Sequence, residues 1–264
     1  MTIVKVESAK ELLMALHTVQ HDGDSGGWFF RGQGDAQWRL TPSLWRHPRG
    51  KTQQDRETFE RDVLHELRRI LTHSSMIPDR FLTKDDRDST EALLALGQHY
   101  GAPTRMLDFT QQPLVAAYFA ASDCLRDEKA THLAIFAIPG IVENADHLQG
   151  SRFTSPADAF NPNMKAQAGL FLSVHLDCED VWLDSYSQPV VTGAPKITSV
   201  LDTRFIKFEL PRTEAARLLQ ILKQRRIDAT EIFPGEPGFV RWALDHALLQ
   251  HAFREEMRRK GLLQ

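Results

Sequence analysis

The chain has 264 residues, 42% of them hydrophobic and 25% charged, with a formal net charge of −3. That balance suits a folded globular protein able to bury a sizeable core, and it gives no global argument for a nucleic-acid or membrane-surface partner. Two cysteines, Cys124 and Cys178, lie outside any C-x-x-C pair, which argues against a disulfide framework and a structural zinc site and favours reduced, buried thiols. The N-terminus lacks a basic start followed by an apolar run and a cleavage site, and no apolar stretch approaches the roughly 18 residues of a membrane helix. The expectation is a cytoplasmic protein without a membrane partner.

In chain order, Ile3 to Val6 reads as a strand, and Ser8 caps a helix to about Gln20 with Leu12, Leu13 and Leu16 as its apolar stripe. A loop from His21 to Gly27 leads into an aromatic strand, Trp28-Phe29-Phe30, that ends on Arg31-Gly32. Gly34 to Pro48 is irregular, anchored by Trp38, Leu40, Leu44 and Trp45. Glu57 to Leu71 reads as an amphipathic helix on Phe59, Val63, Leu67 and Leu71. After a charged loop, Lys84 to Asp88, a helix spans Glu91 to Tyr100 and is stopped by Gly101; another starts near Thr110 and runs to about Cys124 with Pro113 in its first turn. His132 to Ile138, Gly169 to Leu176 and Arg204 to Leu210 read as strands, with Gly140 to Asn163 mostly loop. Thr213 to Gln224 is helical, Ile227 to Phe233 extended, and Pro237 to Lys260 helical. With no repeat or linker, these segments predict a single α+β domain: a central, mostly antiparallel sheet with surrounding helices.

Several motifs that suggest chemistry do not carry it. Gly23-Asp24-Ser25-Gly26-Gly27 matches a serine-protease nucleophile motif, but nothing upstream can supply a barrel, a histidine and an aspartate in the required order. His17 and His21 share a helix face without a third ligand, and His65-Glu66 is not followed by the second histidine of H-E-x-x-H. The informative stretch runs from Gln98 to Thr110. It crowds Gln98, His99, Thr104, Arg105, Asp108 and Thr110 between apolar segments, where polar groups must find partners. One reading is a polar corner in which Arg105 pairs with Asp108 and Thr110 caps the next helix; the other is a working site. Arg31, at the rim of the core, is open to the same two readings, and Gly32 would let a ligand or another strand approach the backbone.

Phe30-Arg31-Gly32-Gln33, followed by Trp38-x-Leu40-x-Pro42-Ser43-Leu44, resembles the opening motif of the FRG-domain family. Gly97-Gln98-His99-Tyr100-Gly101-x-Pro103-Thr104-Arg105-x-Leu107-Asp108-Phe109-Thr110 resembles its second motif, Gln167-x-Gly169-x-Phe171 its third and Phe233-Pro234-Gly235 its fourth. The likeness spans about residues 28–242 and implies a single FRG domain, 1–264, whose C-terminal helical extension, 237–264, begins within the last of the motif-bearing part. The third motif departs from the pattern, with Lys165 where an arginine is usual. The family's occurrence in bacteria and phages implies a role in phage–host conflict, as an antiphage or toxin effector.

A more distant similarity is to ADP-ribosyltransferases, through the order of an aromatic strand with Arg31, then Thr110 before an Ala-Ala-Tyr-Phe helix, then Gln167 before a strand. This resemblance implies NAD as the bound nucleotide and no metal. Arg31, with Gly32 and Gln33, would hold a phosphate or ribose; Gln98, Thr104, Arg105, Thr110, Tyr118 and Phe119 would complete the binding site. Arg31, His99, Asp108 and Gln167 would be the catalytic set, with Gln167 in the place of a glutamate. His99 is the group able to move a proton near neutral pH, and Asp108 or Glu231 could supply a carboxylate. The acceptor would be a protein or nucleic acid. Two alternatives remain: a non-catalytic module binding nucleotide, nucleic acid or protein, with Trp28, Trp38 and Trp45 beside Arg39, Arg46, Arg49 and Lys51; and a metal-dependent nuclease or phosphodiesterase using His99, Arg105 and Asp108.

Overall fold

The computed structural model describes residues 1–21, 27–72, 81–82, 86–140, 151–155, 162–178, 190–192 and 205–262. Among these residues the elements run β1 (Thr2–Lys5), α1 (Ala9–Gln20), β2 (Trp28–Gln33), α2 (Ser43–Arg46), α3 (Gln53–Leu71), α4 (Arg87–His99), β3 (Met106–Thr110), α5 (Pro113–Arg126), β4 (His132–Pro139), β5 (Arg152–Thr154), α6 (Pro162–Ala166), β6 (Gly169–Ser173), β7 (Val190–Thr192), β8 (Ile206–Pro211), α7 (Ala215–Gln224), α8 (Ala229–Ile232) and α9 (Glu236–Arg259). The strands form one sheet in the order β5-β6-β3-β2-β4-β8-β1-β7. Pairing is antiparallel from β5 through β8 and parallel where β1 meets β8 and β7, so the fold is α+β with a mostly antiparallel sheet.

Both faces of the sheet are covered, and the strand sequences show why. In β4, Leu133, Ile135 and Ala137 enter one core while Ala134, Phe136 and Ile138 enter the other. A strand with no solvent face reads as a continuous apolar run. The first core lies under α1, α5 and α7; the second holds Leu44, Trp45, Phe109 and Leu172. A third, smaller core joins α3 and α4 to β3 and β6 through Leu64, Leu93, Met106 and Phe171. Local signals set the helix starts. Ser8 accepts from the Glu11 amide, Thr52 and Asp55 form a reciprocal capping box, and Asp86 accepts from the Ser89 amide.

Four expectations need correction. Met106–Thr110 is a strand, β3, and the next helix starts at Pro113 rather than near Thr110. Asp108 interrupts the apolar pattern of this five-residue strand, which leaves too little alternation to show in the sequence. Ile227 to Phe233 is not extended: Asp228 accepts from the Thr230 amide at 2.9 Å and caps the short helix α8. Helix α3 begins at Gln53 and buries Arg56, Glu60 and Leu64, while Phe59, Val63 and Leu67 are half-buried. Polar partners decide that rotation, because the Arg56 Nε donates to the Leu176 carbonyl at 2.9 Å and its guanidinium lies 4.6 Å over the Trp45 ring. Trp28 and Trp45 are core anchors, whereas Trp38 is 47% exposed. The loop assigned to residues 22–26, the serine of the protease-like motif within it, Lys84 and Asp85, most of the 140–163 loop and Arg204 lie outside the described residues.

Candidate functional site

Strands β2 and β3 share one bridged pair, Phe30 opposite Thr110, whereas β2 and β4 pair along six positions from Trp28 to Gln33. Beside this short ladder opens a cleft of about 390 Å³. Its walls come from β2 (Phe30, Arg31, Gly32), β3 (Asp108, Phe109, Thr110), α4 (Ala95, Gln98, His99) and α5 (Ala116, Phe119, Asp123). Asn163 and Met164 of α6, Gln167, Phe171 of β6 and Phe233 complete it. Arg31 stands inside β2 rather than at its end, opposite Phe136 of β4.

The long polar motif is a relay of hydrogen bonds that ends on Arg31. The Thr104 hydroxyl donates to the Gln98 Oε1, and the Gln98 Nε2 donates to the Asp108 Oδ1 at 2.8 Å. Asp108 in turn faces Arg31: the Nη1 donates to the Asp108 main-chain oxygen at 2.7 Å and lies 3.5 Å from its Oδ2. The Arg31 side chain is only 20% exposed, and burial draws its pKa below the ordinary arginine value while Asp108 opposes that shift. Its Nε is buried and has no hydrogen-bond partner among the described residues. The part-exposed guanidinium of a cation at the edge of a cleft is chemically suited to an anion or another polar ligand.

On the opposite wall, the Thr110 hydroxyl donates to the Gln167 carbonyl at 2.6 Å and accepts from the Gln112 amide at 2.9 Å. It therefore ties β3 to the turn before β6 and to the start of α5. The Gln167 Nε2 donates to the Ile232 carbonyl at 3.2 Å, which fixes the side chain. Phe119 and Phe233 meet edge to face, with centroids 5.7 Å apart.

Of the residues singled out in the sequence, Arg31, Gly32, Gln98, His99, Asp108, Thr110, Phe119 and Gln167 share this cleft, and Gln33, Thr104, Arg105 and Tyr118 do not line it. Gln33 is buried and donates to the Arg39 carbonyl, and Thr104 acts through Gln98. Arg105 does not pair with Asp108; it lies 3.4 Å from Glu60 of α3. Tyr118 packs into the first core and donates to the Asp245 Oδ2 at 2.6 Å, with its ring edge on to Phe119 at 5.7 Å. Gly32 lines the cleft and also makes room for α5, because a Cβ there would lie 1.9 Å from the Ala116 carbonyl oxygen. Glu231 does not line the cleft; it pairs with Arg226 at 3.3 Å. Among the described residues, no group of three or more histidine, cysteine or acidic side chains is placed to hold a metal ion.

Burial raises the pKa of Glu60, and Arg105 partly offsets this. A carboxyl with a raised folded pKa contributes stability that is full below its unfolded value and is lost as pH rises through the folded value. Arg105→Met removes the offset, so stability is expected to fall more steeply with pH above 4.5 than in the wild type. Urea unfolding at pH 5 and pH 8 measures the difference; equal slopes would show that Glu60 does not feel Arg105.

Asp123, which the sequence reading did not single out, also lines the cleft, and so does Phe233, which it placed in the fourth family motif without a role in the site. Ala116, Phe119 and Asp123 recur at helical spacing on one face of α5, a signal that could have placed Asp123 beside Phe119. Phe233 lies 66 residues after Gln167 and more than a hundred after Phe119, and no local pattern connects them.

Neither a curated protein nor a solved structure matches the chain. A family model does match, over residues 26–129, which takes in Arg31, the whole relay from Gln98 to Thr110 and helix α5, and stops short of Gln167 and Phe233. The part of the chain that supplies most of the cleft, residues 26–129, matches the model of the FRG domain.

Proposed function

We propose that the cleft takes NAD, or a closely related nucleotide, as substrate and acts on its glycosidic bond, transferring ADP-ribose or cleaving NAD. One observation carries this reading: Arg31, Thr110 and Gln167, far apart in the chain, come from or lead into three adjacent strands, β2, β3 and β6, around a cleft that also holds His99. The residues suit such a ligand. The cavity falls within the range of small-molecule sites. The part-exposed Arg31 guanidinium suits a phosphate or ribose oxygen, Asp108, itself held by Gln98, orients that arginine, and Phe119 and Phe233 offer apolar ring surface to a flat base. Bound NAD would supply a glycosidic bond whose rupture places positive charge on the sugar. The family's occurrence in bacteria and phages supports a conflict effector acting on a protein or nucleic-acid acceptor.

A second reading, a nucleotide-binding module without turnover, is favoured by Gln167, which is neutral and has its amide nitrogen tied to Ile232. Nicotinamide release from NAD, with and without cell lysate, separates the two. The expected result is release by the wild type, with a loss of about 100-fold or more in Arg31→Ala, the scale on which a single preorganised donor acts. Saturable NAD binding by calorimetry without release in any condition would select the binding module. Neither binding nor release would remove NAD from consideration.

A further inference from the structure

We propose that Asp123 is the carboxylate that acts on the substrate in this cleft, supplying the negative charge that Gln167 lacks. This inference rests on the NAD reading above. Asp123 lines the cleft from α5, on the same helical face as Phe119 and Ala116. Its Oδ1 is held at 3.3 Å by Arg126 of its own helix and at 3.3 Å by Arg241 of α9. Both contacts are to the Oδ1; among the described residues the Oδ2 has no hydrogen-bond partner, and the side chain is 39% exposed. Arg241 also lies 4.7 Å over Phe233, another wall of the cleft, which makes it a positioning residue for both side chains. Among the described residues that line the cleft, the carboxylates are Asp108 and Asp123; the Asp108 Oδ1 accepts from Gln98 and its Oδ2 lies 3.5 Å from Arg31, whereas the Asp123 contacts to Arg126 and Arg241 both fall on one oxygen.

Burial raises the Asp123 pKa against the pull of Arg241 and Arg126, with Asp245 adding to the rise and Arg31 opposing it. Such a group is a better proton acceptor than an ordinary surface aspartate. In hydrolysis, the bond between the sugar carbon and the nicotinamide nitrogen breaks, and its electron pair leaves with nicotinamide. A water oxygen bonds to the sugar carbon, and the water proton passes to Asp123 and then to solvent. The products are nicotinamide, ADP-ribose and one proton. In transfer, an acceptor hydroxyl replaces water.

Steady-state nicotinamide release and calorimetric NAD binding are measured for the full chain and for Asp123→Asn, which keeps the shape and an oxygen for Arg126 and Arg241. The expected result is a fall in kcat of about 100-fold or more with NAD Kd within about threefold of the wild type. A folded Asp123→Asn protein with wild-type kcat would overturn this inference and leave the NAD reading standing. No release by the wild type would overturn both. Should Asp123→Asn fail to fold, Asp123→Ala assayed with added sodium formate decides: turnover that rises with formate supports a carboxylate role, and turnover that does not overturns it.

Discussion

Gly32→Ala is expected to be among the most destabilising single-methyl changes in the protein, costing about 3 kcal/mol or more. The added Cβ would sit 1.9 Å from the Ala116 carbonyl oxygen, 2.8 Å from the Ala120 amide nitrogen and 2.9 Å from the Ala116 carbonyl carbon, all of them backbone atoms of α5. No side chain can rotate away, so the helix must move off the sheet. That movement also displaces Phe119 and Asp123, and ligand binding should weaken together with stability. Circular dichroism melting is the measurement; for a chain of this size the loss corresponds to a fall in Tm of about 10 °C. Gly101→Ala is the control. Its site is empty within 4 Å but has φ +90°, so its cost is backbone strain alone, about 1 kcal/mol. A Tm for Gly32→Ala equal to that of Gly101→Ala would show that α5 does not press on β2 as closely as described.

Asp245→Ala is expected to cost about 3 to 5 kcal/mol, the range for removing one partner of a buried ionic cluster. Asp245 sits in α9 and is 7% exposed. It accepts from the Tyr118 hydroxyl at 2.6 Å, the Ser122 hydroxyl at 2.8 Å and the Arg126 Nη2 at 2.6 Å, all from α5. Truncation leaves the buried Tyr118 and Ser122 hydroxyls without that acceptor and takes one of two carboxylate partners from the part-exposed Arg126. Tyr118 reports on the same contact, since burial and Asp245 raise its pKa. Because Arg126 also holds Asp123, loss of Asp245 should loosen that side of the cleft. Urea unfolding of Asp245→Ala, Arg126→Met and the double variant gives the coupling directly; additive effects would mean that the cluster is not one network.

The amino-acid sequence by itself determined the α+β class, most of the helices and the identity of the polar residues that matter. These signals are local. The capping serine at position 8, the apolar period of α1, the glycine stop at 101 and the dense run from Gln98 to Thr110 are each visible within a few residues. The same run did not show its own strand, because Asp108 breaks the pattern of a five-residue segment buried on both sides. Nor could sequence distinguish a ligand-facing residue from a supporting one. Gln98 and Thr104 belong to one motif, yet Gln98 lines the cleft while Thr104 stands behind it. Tyr118 and Phe119 are neighbours, but a helix turns successive side chains about 100° apart, which sends Tyr118 to Asp245 and Phe119 to the cleft. Only the tertiary structure decided that Arg105 answers Glu60, that Gly32 makes room for a helix, and that Asp123 and Phe233 close the site. Those contacts join segments from tens of residues to more than a hundred residues apart, and their geometry is set by how β2 and β3 part beyond Phe30 and Thr110, which no local pattern of residues records.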